Sequence, residues 1–279
     1  MQEYELIKQT GDPSGESRKL WEAIFSEDTK EFLDYYYQYK VPEAQFYLLK
    51  DGEQLISMLH LNPYAVYCNG VIRKAYYIVA VATKLEYRHR GCMRRLLQEA
   101  ISDATKEKCP FLFLMPADPA IYEPFGFRYV YDHRSYEPAT EAIAERIRKA
   151  AGSGKPTEIG HYRICRYESD KAKEVTAFAD KELSGRYRTF CIHDTAYMER
   201  LQKELQSENG DLFLVYDLQK TKECFTGYFC YAKEETESYQ EVVLTAGAKA
   251  LFVPQTEKKA IMALPIDLIP KPCYFPELV

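Results

Sequence analysis

Between residues 76 and 104 the apolar positions change period. Tyr76-Tyr-Ile-Val-Ala-Val-Ala-Thr83 is an unbroken apolar and aromatic run of strand length. A basic turn follows, Arg88-His89-Arg90-Gly91. Beyond it Met93, Leu96, Leu97, Ala100, Ile101 and Ala104 fall on one helical stripe, while Arg94, Arg95, Gln98, Glu99 and Asp103 fall outside it. The stretch therefore predicts a buried strand, a glycine-bearing basic turn and an amphipathic helix.

Upstream, Leu20, Trp21, Ile24 and Phe25 predict one short helix, and Phe32, Leu33, Tyr36 and Tyr37 the buried face of a second. Asp28 with Glu31 reads as the capping box of that second helix. Tyr35, Glu27, Asp28 and Asp34 are candidates for a substrate cleft, against the plainer reading of a cap and a solvated rim. Asp51-Gly52 and Asn69-Gly70, each between apolar runs, predict two hairpins. After the central helix, Phe111–Met115 reads as a strand buried on both faces. Asp118-Pro119 starts a short helix that carries Tyr122 and stops at Pro124-Phe125-Gly126, and Phe127–Tyr131 is a further strand. The expected order is α-α-β-β-β-β-α-β-α-β, a mixed sheet with helices on its faces.

A helix over 139–151 leads into Gly152-Ser-Gly-Lys-Pro156, read as a linker. It is not a phosphate-binding P-loop, because Lys149 and Pro156 stand where Gly and Ser or Thr are required. A second unit then echoes the order of the first with slight identity, which suggests an internal repeat. Its strand is 163–167, its first helix carries Ala172, Val175 and Ala179, and its second is capped by Asp194 and faces Met198, Leu201 and Leu205 inward. Strands at 212–216 and 225–231 follow, with no basic glycine turn after them. The three prolines of 270–279 predict an extended tail.

Composition narrows the picture. At 279 residues, 46% hydrophobic and 28% charged, the chain is long enough for two cored domains. No apolar run reaches membrane-spanning length and the N-terminus has no signal-peptide pattern, so no membrane partner is expected and the location is read as cytoplasmic. The eight cysteines are scattered without a C-x-x-C pair and are expected as thiols; no metal is expected. A net charge of −5 speaks against nucleic acid and is compatible with a cationic substrate.

The turn carries candidate chemistry. A helix start offers unpaired N–H groups and a partial positive charge to an anion. Gly91 lets the anion approach, and Arg88 and Arg90 add charge-assisted contacts. The alternative is an ordinary strand–loop–helix with surface arginines. Taken with Tyr122-x-x-Phe125-Gly126-Phe127, the arrangement over residues 1 to 135 resembles the GNAT superfamily of acyl-CoA-dependent N-acetyltransferases. Met93, where a small residue is usual, and Ile121-Tyr-Glu-Pro-Phe-Gly-Phe127 are similar to the Eis-like (enhanced intracellular survival) branch. Such proteins add a sterol-carrier-like domain for which this chain is too short. The resemblance implies a GNAT α/β (α+β) fold: a catalytic domain at 1–137, a helix and linker at 138–156, and a second, degenerate GNAT-like domain at 157–279 with an extended tail.

It further implies acetyl-CoA as co-substrate and a small-molecule or peptide amine as acceptor, with aminoglycoside-like, polyamine and lysine amines all open, as is homo-oligomerisation. Val81, Ala82 and Thr83 would face the pantetheine arm and acetyl group. His89, Arg90, Gly91, Cys92, Met93 and Arg94 would hold the pyrophosphate with Arg88 at its edge, and Ala117 and Asp118 would flank the pantetheine end. Strand N–H groups are candidate oxyanion donors. Tyr122 is the implied general acid, a role worth about 10² to 10⁴ in rate. The base implied by the Eis-like branch is the terminal carboxylate of Val279, with His60 or His89 as alternatives. A carboxylate near 3.5 is a poor match for an ammonium near 10.4, a gap of roughly 9 kcal/mol that burial must narrow. Two other readings fit: a Fem-type tandem-GNAT aminoacyl transferase, and a non-catalytic acyl-CoA-binding protein.

Overall fold

The computed structural model describes residues 4–219, 222–233, 236–265 and 267–275. In chain order the elements are β1 (Glu5–Thr10), α1 (Glu16–Ile24), α2 (Lys30–Tyr39), β2 (Gln45–Asp51), β3 (Gln54–Cys68), β4 (Val71–Thr83), α3 (Cys92–Lys106), β5 (Leu112–Leu114), β6 (Arg128–His133), β7 (Tyr136–Pro138), α4 (Glu141–Ser153), β8 (Thr157–Ile159) and β9 (Tyr162–Arg166). They continue as α5 (Ala172–Ser184), β10 (Thr189–Cys191), α6 (Thr195–Ser207), β11 (Asp211–Asp217), β12 (Cys224–Lys233), β13 (Glu237–Leu244), β14 (Phe252–Pro254), β15 (Lys258–Leu264) and β16 (Cys273–Tyr274). No described helix is long and apolar enough to cross a membrane.

The chain divides into two compact units. The first holds residues up to Val130 and takes back Ala260–Cys273; the second holds Tyr131–Lys259 and Tyr274. The boundary thus precedes residue 137, α4 belongs to the second unit, and the stretch 260–273, expected with the second unit, packs with the first. The physical reason is a strand slot: β15 enters the first sheet beside β5, with Met262 opposite Leu114 and Leu264 opposite Leu112.

The first sheet runs β1-β2-β3-β4-β5-β15-β6. The opening strand β1 was not expected, because its polar alternation suits a solvent-facing edge. The hairpins fall at the foreseen dipeptides. At the second, Asn69 (φ 49°) and Gly70 (φ 94°) both take positive φ, as the tight hairpin turn requires. α1 and α2 bury Leu20, Trp21, Phe32, Leu33 and Tyr36 against Phe46, Leu48 and Met58. Each large side chain so buried contributes roughly 1.5–3 kcal/mol by transfer from water. The cap of α2 is Thr29, which accepts from Phe32 N–H at 3.1 Å, not Asp28. Asp28 instead accepts the indole N–H of Trp21 at 2.6 Å.

The second unit has an antiparallel sheet in the order β13-β12-β11-β9-β8, and from β9 onward it follows the order strand, two helices, three strands, with the short β10 set between its helices. A shared irregularity makes the repeat concrete. Along β3 and β4, Met58 pairs with Ala82 but His60 with Val79, so Leu59 faces both Ala80 and Val81. Along β12 and β13, Tyr228 pairs with Val243 but Cys230 with Gln240, so Phe229 faces both Glu241 and Val242. Each bulge begins on a left-handed residue, Ala80 at φ 53° and Glu241 at φ 43°.

Candidate active site

β5 pairs in parallel with β4 only at Tyr76–Leu112 and Tyr77–Phe113. Beyond Tyr77 the two strands part, and the Ala80 bulge bends β4 just there. The gap opens into a cavity of about 860 Å³ in the first unit. One wall is β4 from Tyr77 to Thr83, whose edge facing away from β3 has no strand partner over Ile78–Thr83 among the described residues. Such an edge presents fixed N–H and C=O groups to an amide-bearing ligand.

At one end lies the basic turn. His89 (φ 60°) and Gly91 (φ 81°) both turn left-handed, the backbone shape that gathers successive N–H groups into a concave anion site. The first intrahelical bond of α3 is Arg95 N–H to Gly91 C=O at 3.0 Å. The N–H groups of Cys92, Met93 and Arg94 therefore face the cavity end without helical acceptors. A Cβ on Gly91 would meet no protein atom within 4 Å, so the space in front of it is open. Arg88 donates from Nε to Thr83 O at 3.3 Å, and Arg94 lies 5.5 Å above the Phe125 ring. A CoA diphosphate fits this donor set.

Tyr122, 9% exposed, lines the same cavity with its ring edge-on to Phe127 at 6.0 Å. Burial pushes its phenol up to about 12, and among the described residues its hydroxyl has no hydrogen-bond partner. It stays protonated at neutral pH. Met115, Ile24 and Phe25 line it as well.

Of the residues expected from sequence, Val81, Ala82, Thr83, Arg88, His89, Gly91, Cys92, Met93, Arg94, Ala117 and Tyr122 all line this one cavity. Arg90 and Asp118 do not. Arg90 stacks over the Tyr87 ring at 5.0 Å, and Asp118 caps the turn Pro119–Ile121 by accepting from Ala120 N–H at 2.9 Å. Val279 lies outside the described residues. His60, considered as a base, is fully buried in the helix-facing core, with Nδ1 3.2 Å from Tyr36 Oη and burial pushing its imidazole down to about 3. It does not line the cavity and cannot serve as the base. Of the acids considered for a cleft, Asp34 pairs with Arg18 and Lys30, each at 2.7 Å, and Asp28 holds the Trp21 indole; neither they nor Glu27 line the cavity. Sequence reasoning missed Ile24, Phe25, Ala80 and Met115 as wall residues. Only the apolar face of α1 signalled any of them.

Residues 7–130 match the family model described as an acetyltransferase (GNAT) domain. No curated protein matches the chain in sequence. Among solved structures, the chain resembles a probable N-acyltransferase of Enterococcus faecalis V583 at TM-score 0.68 and 16% identity, covering 95% of this chain and 73% of that one. It resembles a tandem GNAT protein from the clavulanic acid biosynthesis pathway at TM-score 0.55 and 12% identity, covering 94% and 98%. It also resembles Eis1 of Mycobacterium abscessus at TM-score 0.52 and 11% identity, covering 83% and 54%. These likenesses establish the GNAT fold, with a second unit consistent with a tandem arrangement.

Proposed function

We propose that this chain, which carries a GNAT acetyltransferase domain over residues 7–130, is an acetyl-CoA-dependent N-acetyltransferase acting on a primary amine. The observation that carries the reading is the single cavity running from the Arg88–Arg94 turn, along the unpartnered edge of β4, to the Tyr122 hydroxyl. The turn holds the diphosphate and the β4 edge holds the pantetheine amides. The acyl carbonyl reaches the bulge at Ala80–Ala82, where fixed backbone N–H groups stabilise the developing oxyanion. The amine attacks the carbonyl carbon, the C–S bond breaks, and the Tyr122 hydroxyl donates a hydrogen bond to the leaving sulfur. Full transfer from a phenol near 12 to a thiol near 8.5 is uphill by roughly 5 kcal/mol at 1.36 kcal/mol per pKa unit. Tyr122 therefore acts by donation, passing a proton only as it receives one.

The Arg88-x-Arg90-Gly91 turn and the repeated unit support the Eis-like branch, and a cytoplasmic setting suits such an enzyme. Calorimetry with acetyl-CoA and thiol release with amines test the reading together. Submicromolar to micromolar binding with thiol release supports it, binding without turnover leaves a non-catalytic acyl-CoA binder, and no binding refutes it.

A further inference from the structure

Ser57 sits on β3, opposite Thr83 of β4. It is wholly buried and does not line the cavity, yet its hydroxyl holds the end of the strand that does. Ser57 Oγ lies 2.8 Å from Ala82 O and 2.7 Å from Thr83 Oγ1. A carbonyl can only accept, so Ser57 gives its one proton to Ala82 and accepts the proton of the Thr83 hydroxyl. On the backbone, Lys84 N–H bonds Ile56 C=O at 2.9 Å across the ladder. By strand alternation the N–H and C=O of Thr83 point the other way, toward the edge that borders the cavity. There Arg88 Nε donates to Thr83 O at 3.3 Å.

Thr83 is thus gripped twice, at its hydroxyl from the neighbouring strand and at its carbonyl from the first arginine of the basic turn. The grip falls where the β4 edge meets that turn. With no second strand along the edge beyond Tyr77 among the described residues, the direction of its cavity-facing groups is set from behind, by the β3 side. A ligand amide laid against Thr83 finds its N–H already aimed. Without the Ser57 hydroxyl the ligand must itself order that residue, which lowers affinity. The effect is confined to the part of a ligand that lies along β4; phosphates held at the helix start do not depend on it.

Resting on the acetyltransferase reading above, we infer that Ser57 is a positioning residue for the pantetheine arm of the acyl donor, acting through Thr83 to fix the β4 edge on which that arm lies. The test is calorimetry on the full-length chain and on Ser57→Ala, Thr83→Val and the double variant. Two ligands are compared: CoA, and adenosine 3′,5′-bisphosphate, which has phosphates but no arm and is titrated by displacement. Each single variant should raise the Kd of CoA about five- to tenfold, the scale of one hydrogen bond. The double variant should add no more than about twofold, because both changes break the same bond. The Kd of the fragment should stay within about twofold throughout, and Thr83→Ser, which keeps the hydroxyl, should bind CoA like the native chain. CoA affinity in Ser57→Ala within twofold of native overturns the inference, as do losses that are equal for the two ligands, which would mark a merely loosened fold. Should Ser57→Ala fail to fold, Thr83→Val and Thr83→Ser decide on the same bond, unchanged CoA affinity in the first overturning the inference. These results leave the acetyltransferase reading standing; a native chain that binds no CoA overturns both.

Discussion

Replacing Tyr122 with phenylalanine removes one oxygen from the cavity wall and keeps the ring that meets Phe127 edge-on. Its hydroxyl has no protein partner among the described residues, so no hydrogen bond within the fold is lost and stability should change little. What is lost is a donor to a developing thiolate. A hydrogen bond to a charged group is worth about 1.5–3 kcal/mol, which at 1.36 kcal/mol per decade is a fall of about 10- to 150-fold in kcat. The affinity for acetyl-CoA should stay within twofold. The pH profile gives a second check. A phenol raised to about 12 keeps its proton throughout the alkaline range, so the native enzyme should show no loss of activity from this group below about pH 11. Stopped-flow thiol detection and calorimetry on both forms decide the matter. A kcat within threefold of native, or an alkaline limb near pH 10 that disappears in the variant, would refute the assignment.

Gly91→Ala should weaken CoA binding at least tenfold by calorimetry while costing the fold only about 1–2 kcal/mol, the expense of a left-handed alanine, since its Cβ meets only open space in the protein. Unchanged affinity would remove the turn as the phosphate site. His60 lies at about 3 in the fold against about 6.5 in an unfolded chain, so the unfolded state binds the extra proton. The stability associated with neutral His60 is intact above about pH 6.5 and lost as pH falls toward 3, at up to about 1.4 kcal/mol per pH unit. Urea unfolding from pH 7.5 to 4.5 should show this slope in the native chain and a shallower one in His60→Gln; parallel slopes would contradict the burial.

Local patterns carried much of this architecture into the sequence. The stripe of α3 predicted its buried side at Leu96, Leu97, Ala100 and Ala104, and Asn69-Gly70 predicted its turn, because both depend on neighbours within a few residues. Asp194 does cap α6, accepting from Tyr197 N–H at 2.7 Å. The misses are non-local or compete locally. Asp28 has good capping chemistry, but the Trp21 indole claims its carboxylate and Thr29 takes the cap. The strand β15 gains its place only by pairing outside its own neighbourhood, where Met262 meets Leu114. At the site, the phosphate turn was legible as a contiguous run. The opening beside it was not, since it results from β5 ending at Leu114 and from the kink at Ala80, and alanine announces no kink.

That kink occurs twice, and the two copies have met different fates. In the first unit the crease begins with a methyl group at Ala80 and the space beside it is left vacant for a ligand. In the second the same position is Glu241, whose carboxylate is clasped by the His193 ring at 3.0 Å and the Tyr197 hydroxyl at 2.6 Å, all three nearly sealed from solvent. A doorway in one half is a riveted seam in the other. Reopening the seam would take more than one substitution, because removing the carboxylate alone strands two polar groups that were made to hold it. The second bulge is therefore held closed by interdependent residues, and opening a space there would mean changing them together.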